Sequence, residues 1–235
     1  FSGVASSLLN LPGIFTSTLA VAMLPAIAET THSPILLEHR INESLHITAF
    51  ISFPMMFILG CYATQLCGLI FNAPAAGEPL KILAAGAIFI YAQSNLVSIL
   101  QGLGQVKALL INLCIGGACF IAGLIILVPL PWLGIKGAAL ANLIFAFVST
   151  VLNLYHLKHY TNCRFMWNKI LLKPALATFG AAIIIKIATM PIAAICGNAY
   201  ANLLVSIGLF GLAYVVLLAL FQGVPNILVK RFPKA

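Results

Sequence analysis

Few side chains in this 235-residue chain could do chemistry, and aspartate is absent. The four acidic residues, Glu29, Glu38, Glu43 and Glu78, all fall between long apolar stretches or at the end of one. No carboxylate cluster can then hold a magnesium ion within the membrane, as sugar or head-group transfer would need. An integral-membrane enzyme is therefore disfavoured. The best metal-like spacing is His39, Glu43 and His46, at i, i+4 and i+7. The same segment, about 35–46, sets Leu37, Ile41 and Leu45 on one face, the pattern of an amphipathic helix lying at the membrane surface with its polar side in water. That reading is preferred, and no metal or cofactor is expected. The six cysteines include no C-x-x-C pair, so neither a zinc site nor a disulfide framework is indicated.

Polar residues inside apolar stretches are the stronger candidates, because a membrane tolerates them only where they face other helices or a hydrated cavity. In the first stretch Ser6, Asn10, Gly13 and Ser17 share a helical stripe; in the third, Tyr91, Asn95, Ser98 and Gly102 repeat the spacing, flanked by Gln93, Ser94 and Gln101. The first stripe reads as helix packing before cavity, and the amide-rich third reads as cavity before packing. Asn142, Ser149 and Asn153 in the fifth are intermediate. Lys186 stands alone as a basic residue inside a span, close enough to its end to snorkel, with a place on an anionic-substrate path as the alternative. The substrate-cavity candidates are therefore Asn10, Ser17, Tyr91, Asn95, Ser98, Gln101 and Lys186.

Membrane-crossing helices must position these groups. Hydrophobic residues make up 62% of the chain and charged ones 7%, against about 25% charged in soluble domains. Seven stretches have roughly the 20 residues a span requires, at about 4–28, 47–71, 79–101, 107–130, 134–156, 172–192 and 200–222. One set of alternate connections holds Arg40, Lys107, Lys158, Arg164, Lys169, Lys173 and a tail with Lys230, Arg231 and Lys234; the other holds Lys81 and Lys136. Because basic loops stay cytoplasmic, the expectation is a multi-pass protein of the cytoplasmic membrane with its C-terminus inside and its first residue outside. The net charge of +8 reads as attraction to anionic inner-leaflet lipid. Its dispersal argues against a nucleic-acid partner. Trp132, Tyr155, Tyr160, Trp167 and Tyr200 sit near expected span ends, where amphipathic rings prefer to lie.

Small residues in Gly116-Gly117-Ala118-Cys119, Ala122-Gly123 and Ala175 to Ala182 suit close helix contact. Pro12 and Pro54 each free a backbone carbonyl and favour a kink. Ala26-Ile27-Ala28 looks like a signal-peptidase site, but no basic segment precedes it and the apolar run is too long. The abrupt Phe1-Ser2-Gly3 start suggests a fragment.

Leu11-Pro12, Leu24-Pro25-Ala26-Ile27-Ala28-Glu29, Pro54, Leu100-Gln101-Gly102-Leu103-Gly104-Gln105 and Leu133-Gly134-Ile135-Lys136-Gly137-Ala138-Ala139 together resemble the stage V sporulation protein B branch of polysaccharide transporters. That branch lies in the multidrug/oligosaccharidyl-lipid/polysaccharide exporter superfamily. The resemblance runs along essentially the whole chain, and the Gln-Gly-Leu-Gly and Gly-Ile-Lys-Gly-Ala-Ala segments are its most specific parts. Ala28 stands where serine is frequent in the family, and Gln105 where lysine is.

The resemblance implies an all-α integral membrane fold of two six-helix lobes followed by two further helices. Residues 1–157 would be a second lobe lacking its first helix, 158–171 a basic cytoplasmic loop, and 172–235 the two terminal helices with a basic tail. It implies flipping of a lipid-linked saccharide by alternating access, with a missing N-terminal lobe as the partner that supplies the second cavity wall and the cations for a pyrophosphate. The alternatives are a cation-coupled multidrug antiporter of the same superfamily and an inactive truncated fragment.

Overall fold

Helix is the only regular secondary structure among the residues that the computed structural model describes, 2–30, 32–195 and 199–221, with turns and short coil between the helices. Cys196 and the basic tail of Lys230, Arg231 and Lys234 lie outside the described residues, as does the side chain of Tyr200. A bilayer core offers backbone groups no water, so helices that bond internally satisfy it. In order these are α1 (Ser2–Thr30), α2 (Pro34–Cys61), α3 (Ala63–Phe71), α4 (Gly77–Ala85), α5 (Ala87–Gly102), α6 (Val106–Leu127), α7 (Ile135–Thr161), α8 (Lys173–Ile195) and α9 (Ala199–Leu220). Six helices among the described residues are long and apolar enough to cross a membrane; α4 and α5, bent by 58° at their junction, bring the number to seven if the pair is counted as one span. The protein is thus an all-α, multi-pass membrane protein.

Three boundaries depart from the sequence reading, each for a local reason. The segment at 35–46 is not a separate surface helix. Pro34 starts α2 at the first helical turn, where its missing N–H costs nothing, and no glycine or proline separates 35–46 from the span that follows. Leu37, Ile41 and Leu45 are accordingly buried against Leu157 and Ile170. The third span breaks at Gly86, whose non-helical φ of −99° and ψ of 8° separate α4 from α5. The basic connection is also shorter than expected, since α7 continues to Thr161 and a π-helical turn occupies Asn168–Leu172.

Helix packing divides into three apolar clusters. One joins Ala5, Leu8 and Leu9 of α1 to Leu59, Leu80, Leu83 and Tyr91. A second joins Met23 and Ile27 to Leu96, Ile99 and Leu100 of α5 and to the buried face of α2. The third pairs α8 with α9 through Ala177, Ala181, Phe210 and Tyr214, and seats them on Phe50, Phe57 and Ile58 of α2. Contacts of Tyr91 with Leu9, and of Gly102 with Leu24, show that α1 and α5 run parallel.

The helix α2 continues through Pro54, which removes the helical donor for the Phe50 carbonyl four residues earlier. That carbonyl accepts a 2.9 Å hydrogen bond from the Tyr214 hydroxyl of α9. The proline thus creates the acceptor that fastens α9 to α2, reinforced by stacked Phe57 and Phe210 at 4.6 Å.

Candidate functional site

Polar groups inside the spans sort into those consumed by helix packing and those left on the surface. Asn95 is 1% exposed, and its amide faces α2. Its Nδ2 donates to the Ser44 carbonyl at 3.0 Å and to Thr48 Oγ1 at 2.6 Å, while its Oδ1 accepts from Ser44 Oγ at 2.8 Å. Tyr91, one turn earlier, donates 2.7 Å to the Leu9 carbonyl of α1. That acceptor adjoins Leu8, whose carbonyl Pro12 deprives of its helical donor. Ser98 is buried and bonds back to Ser94 at 3.4 Å. The third-span stripe, expected to favour a cavity, is a packing seam in this structure, because α1 and α2 present backbone and hydroxyl partners to it.

The partners Ser44 and Thr48 were missed from sequence, although Ser44, Thr48 and Ser52 form a polar stripe at i, i+4 and i+8 of α2. The Asn112 to Asn153 bond of 2.8 Å between α6 and α7 is a second such pairing, with both side chains buried. Beside it Gly116 admits Ser149 Oγ to within a distance that no side chain would permit.

Asn10 and Gln101 are exposed and Ser17 is half-buried. Because α1 and α5 are parallel, these three residues descend one helix pair, from Asn10 near the level of Tyr91 to Gln101 near the level of Leu24. Gly13 of the first-span stripe packs on the Tyr91 ring. Ser6 and Asn142 instead line a small cavity of about 220 Å³ with Pro79, Ile135 and Ala138. Lys186 is exposed on α8, which packs on α9, α2 and the π turn, so it does not converge with the α1–α5 residues.

The two ends of the bundle differ electrostatically. At one, Glu78 bridges Lys81 at 3.0 Å and Lys136 at 3.2 Å, so both basic residues of that end are paired. At the other, a cavity of about 490 Å³ lies between the start of α2, the end of α7 and the π turn. Its walls include Glu38, His39, Asn42, Glu43, His46 and Lys169. Here α2 holds the 162–167 connection by its backbone. Asn42 Nδ2 donates 3.0 Å to the Arg164 carbonyl, Met166 N donates 2.9 Å to Asn42 Oδ1, and Arg164 N donates 3.2 Å to Glu38 Oε2. Burial, partly offset by Thr161, pushes the nearby Cys163 thiol up, and the Glu38 charge adds to the rise, so the thiol stays protonated near neutral pH. His39 Nε2 lies 3.8 Å from Glu43 Oε2. Among the described residues no group of three His, Cys, Asp or Glu side chains could hold a metal.

Of the segments that carried the resemblance, the two rich in glycine lie at turns, whereas Leu11-Pro12, Leu24 to Glu29 and Pro54 lie within α1 and α2. Gly134 takes φ +44° and ψ −119° at the entry to α7, and Gly137 meets the end of α6 at close range. Gly104 closes α5 at φ +70°. Gly-Ile-Lys-Gly-Ala-Ala and Gln-Gly-Leu-Gly are therefore hairpin geometry, with Lys136 contributing an ion pair.

The chain is 30% identical over 142 residues to stage V sporulation protein B of Bacillus subtilis (strain 168), a match covering 60% of this chain and 27% of that protein. The chain thus spans only about a quarter of that relative's length. No family model matches the sequence.

Proposed function

We propose that this chain, a distant relative of stage V sporulation protein B, is transporter machinery that moves a lipid-linked saccharide from the cytoplasmic to the outer leaflet of the cytoplasmic membrane. The observation that carries the reading is the match to that relative within an all-α structure of six to seven long apolar spans. Residues 1–157 act as one lobe, 158–171 as its connection and 172–235 as an accessory helix pair. The end bearing Arg40, Lys158, Arg164 and Lys169 faces the cytoplasm, and the C-terminus with it, following the basic bias of its connections.

A head group of several sugars cannot cross hydrocarbon unaided, whereas its lipid tail never needs to leave it. A polar face that opens alternately to each side and stays open sideways to lipid solves both problems. The helices α1 and α5 suit that face. Their interior amides and hydroxyls are occupied by α2 and by one another, which fixes the scaffold, while Asn10, Ser17 and Gln101 remain outside it to offer hydrogen bonds to sugar hydroxyls. A second lobe supplies the opposite wall and the cations that a pyrophosphate requires. No chemistry is performed on the substrate, so the protein works as a transporter and not as an enzyme.

Single cysteines at Asn10, Ser17 and Gln101, in a background with the native cysteines replaced, test this surface. Each is expected to react with a membrane-impermeant maleimide and to be protected by lipid-linked saccharide, whereas a cysteine at the exposed apolar Leu113 is not protected. Absence of protection at all three polar positions would remove this face from the substrate path.

A further inference from the structure

The cavity at the basic end contains a group that the transport reading leaves unused. The Glu43 side chain is only 8% exposed, yet it lines this opening. His39, whose side chain is 60% exposed, meets it loosely: at 3.8 Å the imidazole Nε2 is within ion-pair range and beyond hydrogen-bond reach. Neighbouring polar groups are already committed, since Asn42 and Glu38 grip the 162–167 backbone. A buried carboxylate is costly without a cationic partner. Two of the four acidic residues in a chain of net charge +8 line this one cavity, facing one lysine, Lys169, among its walls.

The remaining walls define what accompanies that charge. Lys169 stands exposed on the lining and suits an anion beside the amine. Ile35, 85% exposed, and Met166, 49% exposed, give the same opening an apolar rim. No Phe, Tyr or Trp ring is among the described residues of the lining, so the cage of such rings that favours a quaternary ammonium is absent and a primary amine is preferred. A volume of about 490 Å³ lies within the roughly 300–1,000 Å³ of small-molecule sites. The site sits where α2 begins and α7 ends, at the ends of two helices long and apolar enough to cross a membrane.

We infer that this cavity binds the head group of an aminophospholipid, with the ammonium on Glu43, the phosphate toward Lys169 and the acyl chains leaving past Ile35 and Met166. This inference is independent of what the protein transports.

The test is native mass spectrometry of the natural gene product, released from nanodiscs containing equal amounts of phosphatidylethanolamine, phosphatidylcholine and phosphatidylglycerol. Phosphatidylethanolamine is expected to be retained at least tenfold over phosphatidylcholine, and Glu43→Gln to abolish that preference without lowering the unfolding temperature. Lys169→Gln should weaken retention of phosphatidylethanolamine while leaving its preference over phosphatidylglycerol. If Glu43→Gln fails to fold, the wild-type preference and the Lys169→Gln loss carry the test. Equal retention of the ethanolamine and choline lipids, or an unchanged preference in a folded Glu43→Gln protein, would overturn the inference. Displacement of the lipid by equimolar soluble phosphoethanolamine would overturn its assignment to a membrane lipid.

Discussion

A single methyl group added by Gly137→Ala is expected to destabilise the α6–α7 hairpin by about 2 kcal/mol, the net of an overpacking penalty of about 1–3 kcal/mol and a helix-propensity gain of at most about 1. A Cβ at this position would lie 2.6 Å from the Leu127 carbonyl oxygen and 2.7 Å from its carbon. Both sides of that clash are backbone, so no side-chain rotation can relieve it. Relief requires moving the end of α6, which would pull on the buried Asn112–Asn153 bond and on Gly123, whose close neighbour is Ala141. Gly134→Ala should act in the same direction by about 1–3 kcal/mol, because φ +44° with ψ −119° is a conformation for glycine. The control is Gly117→Ala, on the same hairpin, where an added Cβ meets nothing within 4 Å. Denaturation in mixed detergent micelles should rank Gly137→Ala well below the control. Equal midpoints would show that the hairpin is not packed as described.

Asn95→Leu should be similarly damaging, at about 2–3 kcal/mol. Interhelical hydrogen bonds in membranes average about 0.6 kcal/mol and reach about 1.7, and this substitution removes three of them between α5 and α2. Leucine also adds bulk at a position only 1% exposed. Ser44 and Thr48 limit the loss, since a serine or threonine hydroxyl can turn to a carbonyl one helical turn back, as Thr48 already does at 3.0 Å. Two readouts distinguish the packing role from a place on the substrate path. If Asn95 fastens helices, Asn95→Ala lowers the unfolding midpoint while the folded fraction binds lipid-linked saccharide normally. If it faces substrate, binding falls at unchanged stability.

The spans were legible because hydrophobic length is a one-dimensional property, and the alternation of basic connections follows the chain in the same way. The bend at Gly86 was not, since a glycine inside an apolar run signals either close packing or a break, and only the direction taken by α5 decides. The start of α2 was read as a surface helix because its amphipathic pattern suits a membrane surface equally well. What distinguishes the two is Leu157 and Ile170, more than a hundred residues away, lying over the face of Leu37, Ile41 and Leu45. The same limit governed the candidate site. Spacing correctly put Tyr91, Asn95 and Ser98 on one face, but whether a polar face meets water or another helix depends on the partner surface. Here the partner stripe of Ser44, Thr48 and Ser52 was itself visible in the sequence and was not matched to it. His39, Glu43 and His46 were noted for their spacing, while the cavity they line takes its opposite wall from 161–170.

Transport itself is tested most directly by reconstituting the natural gene product into liposomes with a fluorescent lipid-linked saccharide and following its appearance in the opposite leaflet by membrane-impermeant quenching. A protein-dependent rise in quenching, slowed by substitutions at Asn10 and Gln101 that leave the fold intact, is the expected result. No transfer above protein-free vesicles across several lipid-linked saccharides, or cation-driven efflux of small drugs in its place, would contradict it.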